Sequence, residues 1–187
     1  QIGMMAALRY PELIDKLILL APAGIEEFDS HEKFLMMQML AFGEFLYADE
    51  LHLEHAIKES FYKTTDGMKT IIADLKKILL MHKGTAWRNM CKKSIAGMLN
   101  EQVAGFLSQL SIPTLVVFGE KDKFIPSRLL HPSENAHTIS QKSATLIPDC
   151  TYKVIPDCGH FLQIENATEI NELIYSYISG LLIRTAL

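Results

Sequence analysis

Two residues of this sequence are set up for proton chemistry, an aspartate and a histidine that each follow a short apolar run through a glycine-containing turn. Asp122 comes three residues after Gly119, which ends the run Ile112-Pro113-Thr114-Leu115-Val116-Val117-Phe118. His160 closes Tyr152-Lys153-Val154-Ile155-Pro156-Asp157-Cys158-Gly159-His160. An imidazole, with an ordinary pKa of about 6.5, takes up and returns a proton near neutrality. An aspartate that orients it would complete two thirds of a nucleophilic triad. Taken singly, each has a plainer reading, a satisfied loop histidine and a solvated Gly-Glu-Lys-Asp turn. Their pairing favours the chemical one, because sites in open α/β sheets form at the carboxyl ends of the strands.

The elements that must position them are legible in the apolar pattern. Leu115 to Phe118 is a continuous apolar run of strand length, as expected for a strand buried on both faces of a parallel sheet, and Leu17-Ile18-Leu19-Leu20 reads the same way. Residues 1–10 read as a helix packed through Met4, Met5, Ala7 and Leu8 and stopped by Pro11. From Ile25 to about Leu107 strand signals give way to helical periodicity, with breaks expected at Gly43, Gly67 and Gly84. Asp29 or Ser30 can cap the first of these helices, whose Phe34, Leu35, Met36, Met37, Met39, Leu40 and Phe42 make it apolar on most sides. After Asp122 a helix is expected over Glu134 to roughly Ala144, and a closing amphipathic helix over Ala167 to Ile178, with Ile170, Leu173, Ile174 and Tyr177 on one face.

These features together resemble the α/β-hydrolase family. The resemblance rests on Pro113-Thr114-Leu115-Val116-Val117-Phe118-Gly119-Glu120-Lys121-Asp122-Lys123-Phe124-Ile125-Pro126, on Asp157-Cys158-Gly159-His160 with Glu165 five residues on, and on the terminal helix. Gln1 to Gly24, including Tyr10-Pro11-Glu12, is similar to the helix after the family's nucleophile elbow and the strand that follows it. The resemblance implies an α/β fold: the C-terminal part of a hydrolase sheet, with three mostly parallel strands, flanking helices and an inserted helical cap. It divides the chain into 1–24 (start of the core), 25–107 (cap or lid) and 108–187 (C-terminal core carrying acid and histidine).

In that family the triad runs Ser, Asp or Glu, His in chain order, with the serine in Gly-x-Ser-x-Gly. Asp122 followed by His160 fits this order, and no Gly-x-Ser-x-Gly occurs in the 187 residues. The resemblance therefore places the nucleophile about four residues before Gln1. The oxyanion donors are expected outside the chain as well. In some members the acid follows the preceding strand, which would nominate Glu26 or Glu27; the Gly-x-x-Asp turn makes Asp122 the closer match. Glu165 reads as a structural carboxylate beside a helix.

The activity implied is hydrolysis of a hydrophobic ester or related carbonyl substrate, of esterase or lipase type and without a cofactor, the chain alone being inactive. An aspartate nucleophile on the same scaffold would imply epoxide or haloalkane hydrolysis, with Tyr47 or Tyr62 as lid donors. The competing reading is a non-catalytic subunit that completes its sheet with another polypeptide. A Met-rich lid suits an acyl or aromatic group, although methionine at helical spacing is more often packing. Glu59, Phe61, Tyr62 and Lys63 are candidates for the border of the same cleft.

Composition narrows the partners. A chain 49% hydrophobic and 21% charged is of the globular class, and a net charge of −4 with scattered Lys and Arg gives no footprint for nucleic acid. The expected partners are a small hydrophobic substrate and the N-terminal half of the fold. Three cysteines, Cys91, Cys150 and Cys158, without Cys-x-x-Cys, indicate reduced thiols and a cytoplasmic location. No apolar run reaches the length of a membrane span. His52 and His55, three apart on a helix, do not make the zinc-peptidase spacing, and no metal is expected. His31, His82, His131 and His137 read as surface or loop residues, and Trp87 as a packing anchor at the start of the last cap helix. The repeat of Ile147-Pro148-Asp149-Cys150 as Ile155-Pro156-Asp157-Cys158 is too short to imply a repeat architecture.

Overall fold

The structure is a computed structural model, and it describes residues 1–42, 50–81 and 85–181. Three parallel strands, β1 (Leu17–Leu20), β2 (Thr114–Gly119) and β3 (Cys150–Ile155), form one sheet in the order β1-β2-β3. The register pairs Leu17 with Thr114 and Thr114 with Cys150, so all three strands start level. Helix α1 (Ile2–Arg9) precedes β1. Among the described residues four α-helices separate β1 from β2: α2 (Ser30–Phe42), α3 (Glu50–Ser60), α4 (Asp66–Met81) and α5 (Thr85–Asn100). Helix α6 (Ala136–Leu146) joins β2 to β3, and the single turn α7 (Leu162–Glu165) leads into α8 (Ala167–Ile178).

The expectation of burial on both faces holds fully for β2 alone, whose six residues are all buried. Leu115, Val116, Val117 and Phe118 each contribute about 1.5–3 kcal/mol by leaving water, which makes the strand behind Asp122 a firm platform. On β1 only Leu17 and Leu19 are buried, and on β3 only Ile155, because each of these strands has a neighbour on one side only among the described residues. Met4 and Ala7 of α1, Ile139 of α6, and Ile170, Leu173 and Tyr177 of α8 close the same core over the sheet.

Helix boundaries follow their caps. Asp29, rather than Ser30, caps α2: its Oδ1 accepts the backbone N–H of His31 and Glu32 at 2.7 and 2.8 Å, while Glu32 Oε2 accepts the Asp29 N–H. Asn135 caps α6 through the N–H groups of His137 and Thr138, which moves the start two residues beyond the expected Glu134. Gly67 does not break a helix. It sits in the first turn of α4, where a side chain would collide with Ile164 Cγ2 at 2.5 Å, so its use is close approach to α7. Around it Phe61, Met68 and Ile72 form a second cluster with Phe161 and Ile164. Gly43 and Gly84 lie outside the described residues.

Candidate active site

Each of the two candidate side chains leaves its strand through a turn that the backbone locks. At the end of β2, Gly119 lies directly under the turn after β3: an added Cβ would overlap the carbonyl oxygens of Cys158 and Gly159. Glu120 N–H donates to Ile155 O and Lys121 N–H to Cys158 O, both at 2.9 Å. The two turns are thus welded together at the carboxyl end of the sheet. Asp157, at φ 49°, turns the chain so that His160 comes back over β2.

The result is contact. His160 Nδ1 lies 2.8 Å from Asp122 Oδ2, across 38 residues of sequence. The Asp122 side chain is completely buried and its other oxygen accepts the N–H groups of Phe124 and Ile125 at 2.8 and 3.1 Å. Three donors converge on that carboxylate, two backbone N–H groups and the imidazole, and exclusion of water strengthens each of these bonds. The Nδ1–H donated to Asp122 leaves Nε2 with a free lone pair, so the ring is held in the tautomer that accepts a proton at Nε2. Phe124 and Phe161 pack edge-on against the imidazole, with centroids 5.5 and 5.6 Å away.

Beside this pair, and sharing Phe124 with it, lies a cavity of about 450 Å³. Its wall is mostly apolar: Phe28, Met36, Met39, Met98, Leu129 and Leu130. On the methionine-rich helix α2, Met36 and Met39 line the cavity, and Met39, like Phe34 and Met37, is also exposed to solvent. Gln1 and Gly24 border the cavity from the core, and Lys123 and Arg128 carry positive charge to its edge. Lys123 is paired with Glu59 at 2.8 Å, and the Arg128 guanidinium donates to the Asp122 carbonyl at 3.3 Å.

Other sequence candidates are placed elsewhere. Glu27 is exposed, and Glu26 is engaged with another partner than His160. Glu26 Oε1 accepts the Ser127 N–H at 2.7 Å and meets His131 Nδ1 at 2.5 Å, while His131 Nε2 meets Glu32 Oε1 at 3.0 Å. His131 lies in a loop, as its sequence context allows, but its ring is mostly buried. It is a clasp between the loop after β1, the loop after Asp122 and the first turn of α2, stacked on Phe28. Burial alone lowers its affinity for a proton, but hydrogen bonding and charge from Glu26, then Glu32 and Glu134, outweigh burial and raise its pKa. Burial pushes the Glu26 carboxyl up. The ligand-capable atoms of Glu26, His131 and Glu134 lie within 4.8 Å of one another. Both imidazole nitrogens already face carboxylates, which makes His131 a double donor rather than a ligand. This cluster was hidden in the sequence because 105 residues separate Glu26 from His131.

His52 and His55 are exposed on α3, His31 in the first turn of α2, and His137 on α6; His82 and Tyr47 lie outside the described residues. Trp87 is half-buried in the first turn of α5. Tyr62 is 48% exposed and is not part of the cavity wall, whereas Phe61 is buried. All three cysteines are free; burial pushes the thiols of Cys150 and Cys158 up to about 12 and about 11. Among the described residues no helix is long and apolar enough to cross a membrane.

A parallel sheet that brings a buried aspartate and a histidine together beyond its strand ends, beneath a run of helices, defines an α/β architecture of the hydrolase type. The chain belongs to the alpha/beta hydrolase fold family, whose model matches residues 1–167. It is 25% identical over 174 residues, 92% of its length, to the 2-hydroxy-6-oxo-6-phenylhexa-2,4-dienoate hydrolase of Comamonas testosteroni. It is 24% identical to the 2-hydroxy-6-oxo-6-(2'-aminophenyl)hexa-2,4-dienoic acid hydrolase of Metapseudomonas resinovorans, with 95% of the chain covered. The chain spans only 57% and 56% of the length of these two relatives. Among solved structures, a probable hydrolytic enzyme from Pseudomonas aeruginosa superposes with a TM-score of 0.69 at 20% identity, covering 97% of this chain and 60% of that one. The 2-hydroxy-6-oxo-6-phenylhexa-2,4-dienoate hydrolase from Rhodococcus gives 0.65 at 16% identity, covering 94% and 59%.

Proposed function

We propose that this chain supplies the acid and the base of a hydrolase acting on the carbonyl carbon of an apolar substrate that carries an acid group. The observation that carries the reading is the 2.8 Å contact between His160 Nδ1 and the buried Asp122. His160 Nε2 takes the proton of a nucleophile and later returns it to the leaving group, while Asp122 holds the tautomer and stabilises the imidazolium between the two transfers. Gln1 on the cavity wall supports a serine nucleophile about four residues upstream, on the family pattern. The helices α2–α5 then act as the cap: Met36, Met39 and Met98 take the apolar body of the substrate, and Lys123 and Arg128 meet its carboxylate at the rim.

The names of the curated relatives point to the substrate class. A 2-hydroxy-6-oxo-dienoate pairs an anionic end with a ketone; attack at the ketone carbon forms a C–O bond, and the adjacent carbon then leaves, taking the proton held by His160, so that a carbon–carbon bond breaks. An ester would use the same base and the same cavity, with an alcohol as leaving group. Of the two lid donors named for an aspartate nucleophile, Tyr62 does not line the cavity and Tyr47 lies outside the described residues. The experiment is to assay the full-length protein on a 2-hydroxy-6-oxo-6-phenyl dienoate and on p-nitrophenyl butyrate. Faster bleaching of the dienoate chromophore is expected, abolished by His160→Ala. Turnover of neither substrate, in a folded protein, overturns the hydrolase reading.

A further inference from the structure

The carboxylate of Glu165 has no part in the acid–base pair, yet it gathers three backbone donors from two distant stretches of chain. Its Oε1 accepts the Gly159 N–H at 2.9 Å, immediately before His160, and its Oε2 accepts the N–H groups of Tyr62 and Lys63, each at 2.9 Å. The next N–H along, that of His160 itself, donates to Ser60 O at 2.8 Å. The two successive peptide groups that lead into His160 are therefore bonded either to the exit of α3 or to the carboxylate that grips that exit. Gly159 has no slack in this arrangement, since an added Cβ would stand 2.7 Å from both Glu165 Oε1 and Tyr62 N and 2.8 Å from Ser60 O. Phe61 stacks on Phe161 with centroids 4.9 Å apart and closes the seam on the next residue pair.

An anion is what this place requires. Three N–H donors converge from two sides, and a carboxylate presents acceptor capacity on both oxygens, whereas an amide presents one oxygen and turns its NH2 on the remaining donors. The sequence puts the carboxylate in reach because α7 is a single turn that carries Glu165 back beneath the turn it follows.

We propose that Glu165 is a positioning residue: it fixes the Cys158–His160 turn to the Ser60–Lys63 segment, so that the exit of α3 and the alignment of His160 on Asp122 move as one unit. The catalytic part of this proposal rests on the hydrolase reading above; the geometric part does not. Displacing the exit of α3 shifts the Gly159 and His160 peptides with it, and an error of about 1 Å in a catalytic group costs about 10²-fold in rate.

The test uses Glu165→Gln, which preserves volume, in the full-length protein. The expected result is a fall in kcat of about 10²-fold with KM within about twofold, the pattern of a lost transition-state interaction. In proton NMR, the downfield signal of the His160 Nδ1–H, assigned by its loss in His160→Ala, is expected to broaden or vanish in Glu165→Gln. Glu165→Asp, which keeps the charge with a shorter reach, is expected to recover part of both; it carries the same readouts should Glu165→Gln not fold. A variant with a lower melting temperature but unchanged kcat and an unchanged downfield signal reduces Glu165 to a structural brace and overturns the proposal. If the wild-type protein turns over no carbonyl substrate, the hydrolase reading fails, and the NMR signal alone still decides whether Glu165 positions His160.

Discussion

At the scale of single residues, the distinction that matters is between a carboxylate that orients the histidine and one that merely lies near a strand end. Asp122 has no access to water and accepts three donors, so replacing it with asparagine leaves the two backbone bonds possible while removing the charge that holds the Nδ1–H tautomer. Asp122→Asn is expected to lower kcat on the order of 10⁴-fold with the far-UV circular dichroism unchanged. Retention of more than a tenth of the activity would show that another acid serves His160. Glu26 is the family's alternative, but its Oε1 is committed to Ser127 and His131. The sequence made Asp122 the nearer candidate for His160, ahead of Glu26 and Glu27, because Asp122 and His160 each end the same kind of strand-turn unit. The carboxylate–histidine clasp at Glu26 was not, since neither residue sits in a recognisable local pattern. Glu165 was legible as structural but its three partners were not, because two of them lie about a hundred residues away.

At the scale of elements, α2 is started by its Asp29 cap and held to the loops after β1 and after Asp122 by the Glu26–His131–Glu32 clasp, which is sensitive to pH. His131 has its folded pKa raised above the ordinary value near 6.5, and Glu26 has its own raised above 4.5. In both cases the folded state binds the proton more tightly than the unfolded state, so stability falls as pH rises. The contribution of His131 is complete below its unfolded pKa and is lost as pH climbs through the raised folded value. Glu32, Glu134 and the Asp29 carboxylate face the imidazole and sharpen the loss once the positive charge has gone. The melting-temperature advantage of the wild type over His131→Gln is therefore expected to shrink between pH 6 and pH 9. A constant difference across that range would mean that the clasp carries no charge. The sequence predicted helices over this region correctly, but not the break pattern: Gly67 is a contact glycine inside α4, chosen by the neighbouring Ile164 rather than by local turn chemistry.

At the scale of the whole molecule, the described sheet has β2 at its centre and an apolar β1 with a paired neighbour on one side only. Leu17 to Leu20 offers a row of backbone donors and acceptors together with half-buried Ile18 and Leu20, which is a template for further strand pairing. The 187-residue segment expressed alone is expected to elute above the 21.1 kDa of its monomer and to bind an apolar dye, whereas the same segment joined to the chain that precedes it in the relatives' pattern is expected to bind none. A stable, dye-free monomer of the segment would contradict dependence on a further strand, whether that strand is covalent or belongs to a partner subunit.

The amino-acid sequence by itself determined the strands, the order of Asp122 and His160 at their ends, and the family, because these depend on apolar runs, glycine turns and spacing that are local in the chain. Tertiary structure alone decided which carboxylate meets His160, which methionines face the cavity, and what Glu165 and His131 hold together. Those outcomes are contacts between residues 38 to 105 positions apart, settled by how three strand ends and four helices pack, and no local pattern records them.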